Sequence, residues 1–356
     1  MRWIALPVGV LVLVVTLVDL FRSLVVPRAS LGRFRLTRYL FLATWRPWRW
    51  LGLRRHSQAK RERTLSIFAP LFFLIGLVMW AGLILLGFAL VLWSPAFADG
   101  VGRGDPNFTQ ALYFSGTSLF TIGFGDVLAS GPTRAVAVLE GATGLGVVAV
   151  VIAYLPVLYG AFNRREVGIL LLDSRAGSPP SGPELLRRVG GDGLDRTLPG
   201  LFHEWEEWAA DVLETHLSYP ILAYFRSPHD NTSWITSLGA VLDAATLVLA
   251  AVREEQRDES AEFMYATGVH TVEDLFYFFG IPERESGIGR DEFEQVLRTM
   301  AAEGFDLRGS QDCWERFTRL RARYGGRLDA LAVLIAAPPG QWIGDRSALP
   351  TGPLHP

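Results

Sequence analysis

The segment FTQALYFSGTSLFTIGFGD, residues 108–126, lies between two long apolar runs, 67–93 and 135–162, and cannot itself cross a bilayer. Its first dozen residues reach only about 18 Å at helical pitch, against a hydrocarbon core ~30 Å thick. The remainder, Thr121-Ile122-Gly123-Phe124-Gly125-Asp126, is glycine-rich and returns toward the side it came from. The pattern predicts a half-helix that enters and an extended strand that leaves. Non-helical backbone at that depth is tolerated only where protein buries it or where it lines a water-filled path.

Working outward, apolar residues crowd the first 160 positions of a 356-residue chain that is 50% hydrophobic. Charged residues dominate after Asn163. This reads as a membrane half followed by a soluble half. The run 67–93 carries no charge; 135–162 carries only Glu140, and 3–26 only Asp19 and Arg22. Residues 28–63 hold ten arginines and one lysine against one glutamate. The positive-inside rule therefore places this basic stretch in the cytoplasm. The expected topology has the amino terminus outside, the second span running outward, the third returning, and Arg164 and Arg165 at its cytoplasmic exit. A cleavable signal peptide is the rival for residues 1–26, but no small-residue cleavage site follows them. Asp19 and Arg22, three residues apart, are expected to pair on one helix face. The interleaved Trp45-Arg46-Pro47-Trp48-Arg49-Trp50 suits the headgroup boundary, with rings in lipid and guanidinium groups on phosphate.

A net charge of -2 argues against nucleic-acid binding. The single cysteine, Cys313, can form neither an intrachain disulfide nor a metal cluster and reads as a small buried residue.

Gly123 and Gly125 are spaced so that alternate residues can adopt backbone angles that a Cβ resists, which lets successive carbonyls face one axis. At these residues the chain resembles the potassium-channel pore module of outer helix, pore helix, filter and inner helix. The resemblance implies outer helix 66–93, pore helix 108–120, filter 121–126 and inner helix 133–162. It also implies K+ coordination by the carbonyls of Thr121, Ile122, Gly123 and Phe124, aided by the Thr121 hydroxyl; such rings replace the hydration shell of the ion. Gly125 is then a second backbone permitter and Asp126 the outer-mouth carboxylate. Ser118 matches the hydroxyl residue that many such pores place before the filter. Two departures stand out. Phe124 occupies a position where tyrosine is commoner, removing a hydroxyl that ties filter to pore helix, and Tyr113-Phe114 stands where two tryptophans are frequent. Both suggest a filter that closes readily. One filter motif per chain implies a homotetramer, with no cofactor beyond the permeant K+.

Along the inner helix Gly141, Gly144, Gly146 and Pro156 read equally as hinges for gating or as close-packing positions. Glu140 is placed to hydrogen-bond behind the filter of its own or a neighbouring subunit.

The expected fold class is an all-α membrane protein: a potassium-channel pore module, an extra N-terminal transmembrane helix (1–27) and a cytosolic all-α domain. The basic cytoplasmic or interfacial segment is drawn as 28–65, the pore module as 66–163, a linker as 164–183, the cytosolic domain as 184–337 and a disordered tail as 338–356. In the cytosolic part, helical patterns cover 201–217, 234–252, 271–279 with a Thr271/Asp274 cap, 291–302, 312–324 and 327–337. The run 233–252 is apolar enough for a span, but Asp243 sits in its middle, so it is expected to be a core helix. His203, Glu204 and Glu207 read as helix surface. No arginine-every-third-residue span, no dinucleotide-binding loop and no catalytic constellation is present, so an enzyme is not expected. The expected location is the cell membrane, the expected partners are lipid and other copies of the chain, and the cytosolic ligand is unread. The rival functions are a weakly selective cation channel and a non-conducting, membrane-anchored sensory protein.

Overall fold

The computed structural model describes residues 2–26, 35–102, 107–228, 232–338, 340 and 342–343. The expected disordered tail, 338–356, lies almost wholly outside these residues, as does part of the basic segment. The helices in chain order are α1 (Arg2–Leu24), α2 (Leu36–Leu53), α3 (Gln58–Ser66), α4 (Phe68–Trp93), α5 (Phe108–Leu119), α6 (Thr133–Ala176), α7 (Gly182–Val189), α8 (Leu198–Ser218), α9 (Trp234–Ala251), α10 (Ser260–Phe279), α11 (Arg290–Ala302), α12 (Ser310–Arg321) and α13 (Gly325–Ile335). Among the described residues there are no strands beyond two isolated bridges. The chain divides into two compact units: Met1–His56 with Ile67–Tyr159, and Ser57–Ser66 with Gly160–Pro356.

In the first unit α1 lies along α4, and glycines set how closely they approach. A Cβ on Gly9 would stand 2.7 Å from the Gly87 carbonyl oxygen, and one on Gly87 would stand 2.7 Å from Leu13. In a membrane, helices associate through such small-residue contacts because burial of apolar surface gives them no drive. Asp19 does not pair with Arg22 as expected. Its carboxylate accepts from the Trp80 indole N–H at 2.9 Å and from the Thr37 hydroxyl at 2.6 Å, tying α1 to α4 and to the start of α2. A buried carboxylate needs donors close by, and the packing of α1 against α4 and α2 supplies these two. One tryptophan of α2 also differs from expectation. Trp45 is buried against the Phe68 ring, 4.7 Å away, rather than standing in lipid. Trp50 is exposed, with the Arg54 guanidinium 3.6 Å from its ring centroid.

α6 runs without interruption past residue 162, where the sequence reading ended it, to Ala176, so most of the expected linker is helix. The residues from 163 to 176 include one proline-free, leucine-rich stretch whose Ile169 and Leu172 are fully buried, and that packing outweighs the polar composition around them.

The second unit is a helical bundle around α9, which packs against α7, α8, α10, α12 and α13. α9 is long and apolar enough to cross a membrane, but 94% of its apolar window is buried inside the protein. Asp243 explains how a carboxylate is accommodated there. It accepts from the Tyr324 hydroxyl at 2.6 Å and from Arg321 Nε at 3.1 Å. The Thr271/Asp274 cap is corrected: Thr271 is buried inside α10, which starts eleven residues earlier, and its hydroxyl donates to Thr267 and Ala209 carbonyls. Cys313 is fully buried, and burial pushes its thiol up.

Arg165, expected at the membrane exit, is buried in this unit with all five N–H groups used. They reach Glu166 Oε1 from Nε at 3.1 Å and from Nη2 at 2.8 Å, the Phe225 and Leu222 carbonyls at 2.8 Å each, and His216 Nε2 at 3.0 Å. A charged residue is otherwise rarely buried, and complete satisfaction of its donors is the reason here. Of the residues read as helix surface, Glu204 pairs with Arg175 at 3.0 Å, and His203 is 3.6 Å from Glu207 on an exposed face.

Candidate functional site

α5 begins at Phe108 because the side chain of Asn107, held in extended conformation, accepts the Gln110 N–H at 3.1 Å. At the other end the chain turns back onto the helix. Thr121 N–H donates to the Ser118 carbonyl at 3.1 Å, and Ile122 and Gly123 N–H groups donate to the Thr117 carbonyl at 2.8 and 3.2 Å. The inner part of TIGFGD therefore hangs from carbonyls that the end of a helix leaves without intrahelical partners.

The backbone then alternates. Thr121, Gly123 and Gly125 have φ of +54°, +59° and +79°. An ordinary strand turns successive carbonyls to opposite sides; a left-handed residue at every second position brings them to the same side. The spacing of Gly123 and Gly125 was readable. Thr121 was not, because residues with a Cβ rarely take this conformation and nothing in a single sequence marks one that does. Residues 121–126 are all exposed in the single chain, including the large side chains of Ile122 and Phe124.

Phe124 brings no hydroxyl to hold this strand, yet a tie from α5 exists. The Tyr113 hydroxyl donates to Asp126 Oδ2 at 2.9 Å, at the outer end of the segment. Phe114, its neighbour, points the other way and is buried with Leu92, Val101 and Ala111. Ser118 contributes its main-chain carbonyl, and the hydroxyl that reaches behind the helix belongs to Ser115. It stands between the Leu85 carbonyl, at 3.0 Å, and the carboxyl of Glu140 on α6, with which it is hydrogen-bonded. Glu140 is fully buried, and its second oxygen has no hydrogen-bond partner. Sequence reasoning named Glu140 but not Ser115. The available signal was a hydroxyl on the apolar face of α5, which needs an acceptor if it is buried.

The glycines of α6 differ. A Cβ on Gly144 would overlap the Leu119 carbonyl at the end of α5, one on Gly141 would make an ordinary 3.6 Å contact with the Ser118 carbonyl, and one on Gly146 would meet nothing. Gly144 is thus a close-packing position. Pro156 lies inside the continuous helix.

A half-helix, a returning segment with left-handed backbone at alternate residues and two flanking apolar helices make up this site, and residues 75–158 match the ion-channel family. The chain carries an ion-channel pore module and is an all-α, multi-pass membrane protein. It is similar to the uncharacterized membrane protein YdjJ of Bacillus subtilis (strain 168), at 23% identity over 211 residues covering 58% of this chain and 61% of that protein. It is also similar to Protein LctB of Geobacillus stearothermophilus, at 31% identity over 86 residues, 21% of this chain and 64% of that one. The chain thus spans about six tenths of the length of the curated relatives it matches. No solved structure matches.

Proposed function

We propose that the chain is one subunit of a homotetrameric channel that conducts K+ passively and selectively through Thr121, Ile122, Gly123, Phe124 and Gly125. The observation that carries this reading is the left-handed backbone at 121, 123 and 125, a pattern that lets consecutive carbonyls turn to one side. A ring of carbonyl oxygens can replace the hydration shell of a bare cation. One chain provides one wall of such a path, so four copies are needed around it. The exposure of Ile122 and Phe124 in the single chain, and of Val138, Leu145 and Ile152 along α6, supports an assembly that covers them. In this reading Asp126 draws cations to the outer mouth, Tyr113, Phe114, Ser118 and Glu140 support the filter, and bending near Gly146 or Pro156 opens the inner end. The basic segment before α4 supports a cytoplasmic carboxyl terminus and an external amino terminus in the cell membrane.

The test is the reversal potential of the purified protein in a planar bilayer with K+ on one side and Na+ on the other. A value near the K+ equilibrium potential is expected. A value near zero with clear current would replace K+ selectivity with weak cation selectivity, and verified tetramers without current across pH, Ca2+ and voltage would favour a non-conducting anchor.

A further inference from the structure

A groove between α2 and α4 lies within the first unit, on elements outside the re-entrant segment. It encloses about 310 Å³ and is lined by Ala43, Pro47 and Leu51 on one wall and Phe68, Phe72 and Ile75 on the other, among others. Thr44, which also lines it, turns its hydroxyl onto the Leu40 and Phe41 carbonyls at 2.8 and 3.2 Å. The groove therefore offers hydrocarbon along the nine residues from Ala43 to Leu51, about 12 Å of helix.

The same stripe of α2 does not end in hydrocarbon. Arg54 and Arg55 come three and four residues after Leu51, at the end of the helix where the groove closes. Here the helix closes: Arg54, its C-cap, is in right-handed conformation with its N–H bonded to the Trp50 carbonyl at 3.2 Å and its guanidinium over the Trp50 ring, and Arg55 N–H bonds the Gly52 carbonyl at 3.1 Å in a tighter turn. Both side chains are exposed. Arg38 lies on the opposite face and is exposed as well.

We propose that this groove is a site for an anionic phospholipid, with one acyl chain between α2 and α4 and the phosphate held by Arg54 and Arg55. The occupant must be apolar for two turns of helix and negative at one end, which is the polarity of such a lipid. Guanidinium forks match phosphate oxygens in geometry and keep their charge at the headgroup boundary. The surplus of ten arginines and one lysine over one glutamate in residues 28–63 draws anionic headgroups to this leaflet. The proposal rests on the membrane placement of the first unit and not on K+ conduction.

Native mass spectrometry of the full-length protein in mild detergent, with phosphatidylglycerol or phosphatidylcholine added, tests it. Wild type is expected to retain phosphatidylglycerol in preference to phosphatidylcholine, one per chain. Arg54→Gln with Arg55→Gln should lose that preference, by about five-fold per arginine, while Arg38→Gln keeps it. Ala43→Trp, or Thr44→Phe should the first not fold, fills the groove and should lower retention of both lipids. Equal retention of the two lipids by wild type, an undiminished preference in the double variant, or unchanged retention in the folded filling variant would each overturn the proposal.

Discussion

The Tyr113 hydroxyl and the Asp126 carboxylate, thirteen residues apart, are joined by a 2.9 Å hydrogen bond that pins the outer end of the TIGFGD segment to α5. The inner end is pinned separately, through main-chain bonds to Thr117 and Ser118. Tyr113→Phe removes the outer tie without altering ring packing. Current through the proposed channel should decay faster during sustained opening, read as a shortened mean open time in single-channel records. Unchanged dwell times would mean that the bond does not hold the filter.

Gly144 and Gly146 are two residues apart on α6 but should respond oppositely to alanine. The new methyl at 144 has no room against the Leu119 carbonyl. Overpacking of that kind costs about 1–3 kcal/mol, so Gly144→Ala should lower the melting temperature of the detergent-solubilised protein. Gly146→Ala adds a methyl in open space and should leave the melt unchanged or raise it slightly. Equal responses would remove the distinction between a packing glycine and a free one.

Ser115 and Glu140 are buried partners, and the identity of the group at 140 decides the outcome. Glu140→Gln keeps the shape and can donate an N–H to the Ser115 oxygen while Ser115 bonds to the Leu85 carbonyl. Ser115→Ala leaves the Glu140 carboxyl without its partner, at a cost of about 1–3 kcal/mol. Thermal melts should rank wild type and Glu140→Gln together and Ser115→Ala below them.

His216 makes the stability of the helical bundle depend on pH. Its Nδ1 donates to the Val212 carbonyl at 2.8 Å, so Nε2, facing Arg165 Nη1 at 3.0 Å, is a bare acceptor and the ring is neutral. Burial and the Arg165 charge hold its pKa well below the ordinary value, and that arginine is itself paired with Glu166. Below about pH 6.5 the unfolded chain takes up a proton that the folded protein refuses, so stability is full above that pH and falls as the pH drops. Melting followed by tryptophan fluorescence should show this fall between about pH 7 and pH 5. His216→Gln should flatten it. Asp243, whose carboxyl burial pushes up, acts in the opposite sense in both proteins and cancels in the comparison.

The membrane half was legible because its determinants are local. Apolar runs of spanning length, a block of arginines between two of them, and glycines at alternate positions beside a threonine each act through composition or backbone freedom, and all are visible in one chain read once. The helical bundle was legible as helices, from apolar periodicity, but not in its boundaries. The first half of α10 and the whole of α7 were missed: α7 spans only eight residues, too few for a helical period to repeat clearly, and residues 260–270 follow a charged stretch with no marked cap.

What the sequence alone determined was the class: an all-α membrane protein with a re-entrant segment between two spans, because chain length, hydropathy and glycine spacing restrict the backbone before any packing occurs. Tertiary structure decided which polar groups meet. Asp19 with Trp80, Ser115 with Glu140, and Arg165 with His216 are 61, 25 and 51 residues apart, and such pairs follow from how helices cross. A buried polar group takes whichever partner the packing brings within about 3 Å, and no local rule ranks the candidates beforehand.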